Sequence, residues 1–230
     1  MASSPEIRSL ASIDEYLVGV RQKVDALRTR ANLPAFFAPK NQRDEVRLFF
    51  MNRAIEIGQA CFRVRDLGLP IFLFSRVLCE DLILLFWVSL SEQNAADYVK
   101  VTSSEATKLL RVYLKEGRGL VRHKSTGEDV TESFLPKVNQ FITTKKTLAD
   151  IADESGLSKV YDLVYRPDSL EVHANTFGLP LSQGTDSVAA ALCGINAILK
   201  AMILTVDNPA ETITAEEILR ALGLEHLAGD

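Results

Sequence analysis

The chain has 230 residues, 47% of them hydrophobic and 24% charged, with a net charge of −4. A chain of this length buries roughly 70–75% of its unfolded surface and needs no disulfide or metal staple to fold, while the acidic balance excludes a protein that coats nucleic acid or anionic lipid through bulk charge. Three widely spaced cysteines, Cys61, Cys79 and Cys193, form no CxxC or Cys/His cluster, so they read as small core residues in a reducing compartment.

The N-terminus lacks a basic start followed by an apolar block, which argues against a secretory signal and for a cytoplasmic location. Leu10, Ile13, Leu17, Val20, Val24 and Leu27 recur three and four residues apart, predicting an amphipathic helix packed along one seam. Asn32 to Pro39 then forms a connecting loop, with two prolines enclosing FF. A second helix is expected over about 42–67, with Val46, Phe50, Ile57, Cys61 and Val64 inward, ended by Gly68 and Pro70.

Residues 69–90, LPIFLFSRVLCEDLILLFWVSL, mimic a membrane span but carry Arg76, Glu80 and Asp81 at their centre. The uninterrupted apolar part is too short for the roughly 20 residues a bilayer needs. No membrane contact is expected, and the helix, about 70–91, reads as the enclosed centre of a bundle. Short helices follow at about 95–100 and 104–115, then a looser basic linker marked by Gly117, Gly119 and Gly127. Helix is expected again over about 132–154, with Pro136 in its first turn, and Gly156 separates it from a helix over 161–177.

GLPLSQGTD, 178–186, reads as a loop that ends in a cap at Thr185 or Asp186. The next helix, from Ser187 to about Val206, has no charge until Lys200, and its AAALCG run suits close approach in the core or across a dimer contact. A capping box at Thr214 and Glu217 opens the last helix, which stops at Gly223. No alternation is long enough to demand a sheet. The chain is therefore expected to be one all-α domain over 1–230, a bundle of about eight or nine helices around the apolar helix 70–91. Residues 1–40 pack on it as helix and loop, and 207–230 cap it.

The segment 161–177, YDLVYRPDSLEVHANTF, gathers the chemically capable side chains. Tyr165, Ser169 and His173 fall at i, i+4 and i+8, and Arg166 lies seven residues before His173, about two helical turns. A histidine with an ordinary pKa of about 6.5 can take a proton from an RNA 2′-hydroxyl or give one to a leaving oxygen. An arginine fork can hold the phosphate. The bland alternative pairs Arg166 with an acid such as Asp162 and has His173 hydrogen-bonded inside the bundle. Pro167 presses Arg166 away from regular helix geometry.

Arg76 and Glu80 stand four apart on one face of the most apolar helix. Buried charges need partners. They form either an internal ion pair or a site with Ser169 and His173, in which Glu80 orients the imidazole and Arg76 holds the anion. Lys108, Arg111 and Lys115, followed by Arg118 and Arg122, make a basic stripe. From Lys100 to Lys124 there are seven basic and two acidic residues. Such a stripe either attracts a phosphate backbone or is a solvated outer face. His123 and His226 read as surface residues. Phosphate-binding glycine loops, HExxH and paired-carboxylate helix motifs are absent, so no metal or cofactor is expected.

RPDSLEVH, 166–173, resembles the R-x(4–6)-H signature of the HEPN superfamily. That resemblance implies a helical, homodimeric, metal-independent ribonuclease of toxin or defence type, with His173 and Arg166 in the site. A broader resemblance, over about 45–205, is to bacterial helical proteins of unknown function. These share an R-x-x-x-E helix, here Arg76 and Glu80, and a Y-R-x-x-S-x-x-V-H helix, here Tyr165, Arg166, Ser169, Val172 and His173. Two functions therefore stand side by side: an RNA-cleaving enzyme, and a non-catalytic helical module that binds a cognate protein.

Overall fold

The computed structural model describes residues 13–34, 39, 41–64, 68–117, 119–138, 146–167, 185–208 and 212–227. Helices dominate them: α1 (Ile13–Ala31), α2 (Gln42–Arg63), α3 (Gly68–Leu90), α4 (Glu92–Lys115), α5 (Thr131–Val138), α6 (Leu148–Glu154), the short α7 (Ser158–Val160), α8 (Thr185–Asp207) and α9 (Ala215–Ala221). Among the described residues there is no strand, only an isolated antiparallel bridge between Arg122 and Asp129. The architecture is an all-α multi-helix bundle.

Each helix of the frame carries its own local cause. In α1, Asp14 and Glu15 in the first turn and Arg28 and Arg30 in the last complement the helix dipole, while Leu17, Val20, Val24 and Leu27 bury one seam. The side chain of Asn41 accepts the Asp44 N–H at 2.8 Å and starts α2. Gly58 lets α2 lie against α1, since a Cβ there would stand 2.4 Å from Val24 Cγ2. The expected end near Leu67 is too late: α2 stops at Arg63. Inward Ile57 and Val64 are only half-buried, and Met51, Ala54 and Ile55 fill the contact instead.

At the centre α3 packs against α2, α4, α6 and α8. Leu78, Leu82, Ile83, Leu85 and Val88 are fully enclosed. A single residue, Ser91, turns the chain into α4 and caps it by accepting the Asn94 N–H at 3.0 Å. Asn94 Nδ2 reaches back to the Trp87 carbonyl at 2.8 Å. The two short helices expected at 95–100 and 104–115 are one continuous helix. Val101 to Ser103 contains no glycine or proline, and burial of Ser104 offsets the modest propensity loss.

Conversely, the single helix expected over 132–154 is interrupted at Lys146 and Thr147. Thr147 and Asp150 form a capping box that starts α6 afresh, with Asp150 held below the usual carboxylate range by its hydrogen bonds from Thr147. Gly156, at φ 74°, closes α6, with the Leu157 N–H reaching the Ala152 carbonyl at 2.7 Å.

α8 is the second pillar. Asn196 Nδ2 donates to the Tyr16 carbonyl at 2.8 Å and Lys23 Nζ to Asn196 Oδ1 at 3.0 Å. Arg30 pairs with Asp207. Arg47 of α2 donates to the Val206 carbonyl at 2.8 Å, closing the helix's C-terminal end. Val188, Ala191, Leu192, Ile195, Ile198 and Leu199 are buried in the bundle core. Cys61 and Cys79 are buried as expected, whereas Cys193 is exposed because it lies off that inward stripe. Among the described residues, Val188–Asp207 is long and apolar enough to cross a membrane, and 56% of its apolar window is buried inside the bundle. α9 keeps its expected Thr214/Glu217 capping box and ends at Gly223, φ 75°.

Candidate functional site

A cleft of about 500 Å³ opens where α3, α4, α6 and the segment after α7 meet. Helical spacing builds its walls. Glu80, Leu84 and Trp87 come from α3 at i, i+4 and i+7, while Tyr98, Val101, Thr102 and Glu105 come from successive turns of α4. Ile151 and Leu148 of α6 close one side, Lys146 and Tyr165 stand at the rim, and Arg53 enters from α2. Several charges are already engaged. Lys146 pairs with Glu154 and lies 5.3 Å from the Trp87 ring centre, Glu105 pairs with Lys108 at 2.9 Å, and Asp97 accepts from Gln93 Nε2 at 2.9 Å. No hydrogen bond or ion pair reaches Glu80 among the described residues.

Tyr165 is placed by a π turn over Tyr161–Tyr165, in which the Arg166 N–H bonds the Tyr161 carbonyl five residues back. Such turns recur at functional sites. The rings of Tyr161 and Tyr165 stack at 5.2 Å, and the Arg76 guanidinium lies 5.4 Å from the Tyr165 ring centre while Nη2 donates to the Tyr165 hydroxyl at 3.2 Å. The motif residues Arg76 and Tyr165 thus meet across the α3 contact. Arg76 does so behind the ring and is not part of the cleft wall.

Arg166 differs from expectation. Its backbone is helical, φ −66° and ψ −45°, despite Pro167. The π register moves the hydrogen-bond ladder by one residue just where proline would break an α-helix. Its side chain, 64% exposed, pairs with Asp162 at 3.0 Å and stands outside the cleft. Ser169 and His173 lie outside the described residues, as do Arg118 and the 178–184 part of the expected loop. Of the basic stripe, Lys115 and Arg122 are exposed, Arg111 is half-buried and Lys108 is tied to Glu105. Lys108, Arg111, Lys115 and Arg122 do not line the cleft.

Sequence reasoning passed over one pair. Asp81, 1% exposed, has Arg53 Nε 3.1 Å from its Oδ2, an ion pair without hydrogen-bond geometry, so neither carboxylate oxygen has a hydrogen-bond partner among the described residues. Burial pushes the Asp81 carboxyl up to about 7. The Arg53 charge opposes that rise and Glu80 reinforces it. Tyr98, nearby on α4, is likewise raised by burial and stays a neutral donor. The Asp81 signal was an acid at the centre of the most apolar helix; nothing in the sequence pointed to Arg53, 28 residues earlier, as its partner. No group of three or more metal-ligating side chains occurs among the described residues.

A family model described as "Family of unknown function (DUF5677)" matches residues 44–187, which span α2 to the start of α8 and include every motif residue of the cleft. No curated protein and no solved structure matches the chain.

Proposed function

The chain belongs to the DUF5677 family, and from that premise we propose that it is an HEPN-like, metal-independent endoribonuclease working at the α3–α4 cleft. One observation carries the reading. Two motifs some 85 residues apart in sequence, R-x-x-x-E and Y-R-x-x-S-x-x-V-H, supply Glu80 and Tyr165 to the wall of the same open cleft, with Arg76 fixing the tyrosine from behind. Convergence of polar side chains on one concave site is what a binding or catalytic role requires.

In this reading His173 takes the proton of a 2′-hydroxyl and that oxygen attacks the adjacent phosphorus. The 5′-oxygen leaves, accepting a proton, so a 2′,3′-cyclic phosphate and a 5′-hydroxyl end result. Glu80 orients the imidazole, Ser169 and Tyr165 support it, and Lys115, Arg122 and Arg111 steer the RNA. Arg166, paired on the surface, has the lesser claim as phosphate holder. The reading carries a homodimer in the cytoplasm with it.

The test is incubation with total RNA in chelator, beside His173→Ala, with the ends mapped. Cyclic-phosphate ends from the natural chain and none from the variant are expected. Intact RNA from both folded proteins removes the proposal.

The second reading, a non-catalytic helical module for a cognate protein, is favoured by a different observation. Leu109, Val112 and Tyr113 on the last turns of α4, with Leu120 beyond, are exposed large apolar side chains. It expects uncleaved RNA and a protein partner released by Leu109→Ser with Val112→Ser.

A further inference from the structure

Among the described residues three cations line the cleft, Lys100, Lys146 and Arg53, and Lys146 is already paired with Glu154. Only a guanidinium offers a planar fork for two parallel bonds to a phosphate, and neither motif arginine is there. Arg53 is. It borders this cleft and also a second cavity of about 600 Å³, lined by Phe49, Leu73, Phe74 and Val77 between α2 and α3. We propose that Arg53 is the anion clamp of the cleft, holding a phosphate group of the bound ligand, with Asp81 as the positioning residue that aims it. The proposal rests on the RNA reading only for where the phosphate comes from.

The geometry is asymmetric in a useful way. Asp81 approaches Arg53 from the Nε edge, at 3.1 Å, and no hydrogen bond from the terminal nitrogens is formed among the described residues. A carboxylate at that edge leaves the opposite edge of the planar fork for two parallel bonds to phosphate oxygens. The side chain is 40% exposed, open to a ligand, while its anchor is sealed. A sealed carboxylate without a hydrogen bond is a costly arrangement that packing alone does not call for. Holding an arginine at a cleft wall is a role that accounts for it.

Charges around Asp81 decide how the clamp responds to pH. From α2 the group facing it is Arg53, from its own helix Glu80, and from α4 Tyr98 lies alongside. Among the described residues no charged group of α6, α8 or the π turn acts on it. As pH rises through about 7 the Asp81 carboxyl ionises, offsets the Arg53 charge and repels a bound anion. Phosphate affinity therefore falls across that window, and Asp81→Asn, whose amide does not ionise, abolishes the fall.

The chain's single tryptophan, Trp87, lines the same cleft, so its emission reports binding. The full chain is titrated at fixed salt with a 2′-O-methyl oligoribonucleotide, which cannot be cleaved and keeps a constant charge from pH 6 to 8, and separately with inorganic phosphate. A response at lower concentration of the oligonucleotide identifies a nucleic-acid backbone as the source. A response to inorganic phosphate alone identifies a free phosphate group. In either case Arg53→Met, measured at pH 6 where Asp81 is neutral, is expected to weaken binding by about ten- to a hundred-fold. The double variant Arg53→Met with Asp81→Asn leaves neither charge of the pair in place and is expected to repeat the loss. No response to either probe, affinity unchanged in both Arg53 variants, or a full pH slope in Asp81→Asn overturns the inference. Failure to cleave RNA with phosphate binding still dependent on Arg53 overturns the nuclease reading instead.

Discussion

α3 and α8 are the two most apolar helices of the bundle, pressed against each other along their length, yet they use that apolarity in opposite ways. The inward stripe of α8, from Val188 to Val206, is hydrocarbon, with Thr205 the one polar side chain sealed there. Helix α3 is as apolar but carries Arg76 and, one turn later, Glu80 and Asp81, and these give the Tyr165 contact, a wall of the cleft and the buried acid. An apolar helix can be pure packing or a low-dielectric frame that strengthens the few charges set in it. Composition alone does not separate the two; the position of the charges relative to a cleft does.

The largest effect is expected from α8. Leu192→Ala, at a fully enclosed position, should cost about 2–5 kcal/mol through lost burial and a residual cavity, equally at pH 5 and pH 8, as chemical denaturation will show. A pronounced pH dependence of that loss would break the contrast between the helices.

The α3 counterpart is pH-dependent by construction. With the Asp81 carboxyl raised to about 7 in the folded chain and near 3.9 in the unfolded one, the native state binds the extra proton between those values. Its contribution to stability is whole below about 4 and lost as pH rises through about 7. Asp81→Asn removes this term, so relative to the natural chain the variant should gain on the order of 1–3 kcal/mol between pH 4 and pH 8, a melting shift of several degrees. Parallel stability curves for the two proteins would show that Asp81 ionises freely.

A smaller effect sharpens the same comparison at the edge of α3. Tyr165→Phe keeps the ring over which Arg76 lies but removes the hydroxyl that accepts its 3.2 Å hydrogen bond. The expected loss is about 0.5–1.5 kcal/mol in thermal unfolding; the proposed nuclease would show a larger proportional loss of RNA cleavage, since the ring lines the cleft. Equal losses of stability and activity would make Tyr165 a packing residue only.

Helical periodicity made most of the fold legible. The α1 seam, the enclosed α3, and the Thr214 capping box with its Gly223 stop stand as local patterns with local causes. Errors fell where a weak local signal competed with another. Thr147 and Asp150 were an unread capping box inside an apparently continuous helix, and Val101 to Ser103 suggested a break that packing overrode. The candidate site was half legible. Glu80 and Tyr165 are at the cleft, and Arg166 pairs with Asp162, the pairing the sequence offered as the alternative to a phosphate contact.

What this sequence determined by itself is where helices run and which faces are apolar, because hydrogen bonding within a helix and the side-chain period are set by near neighbours. Only the tertiary structure decided which charges stand together. The Arg53–Asp81 pair, the Arg76–Tyr165 contact and the cleft between α3 and α4 join residues from different helices, and their energies depend on burial and distance, which no run of residues encodes locally.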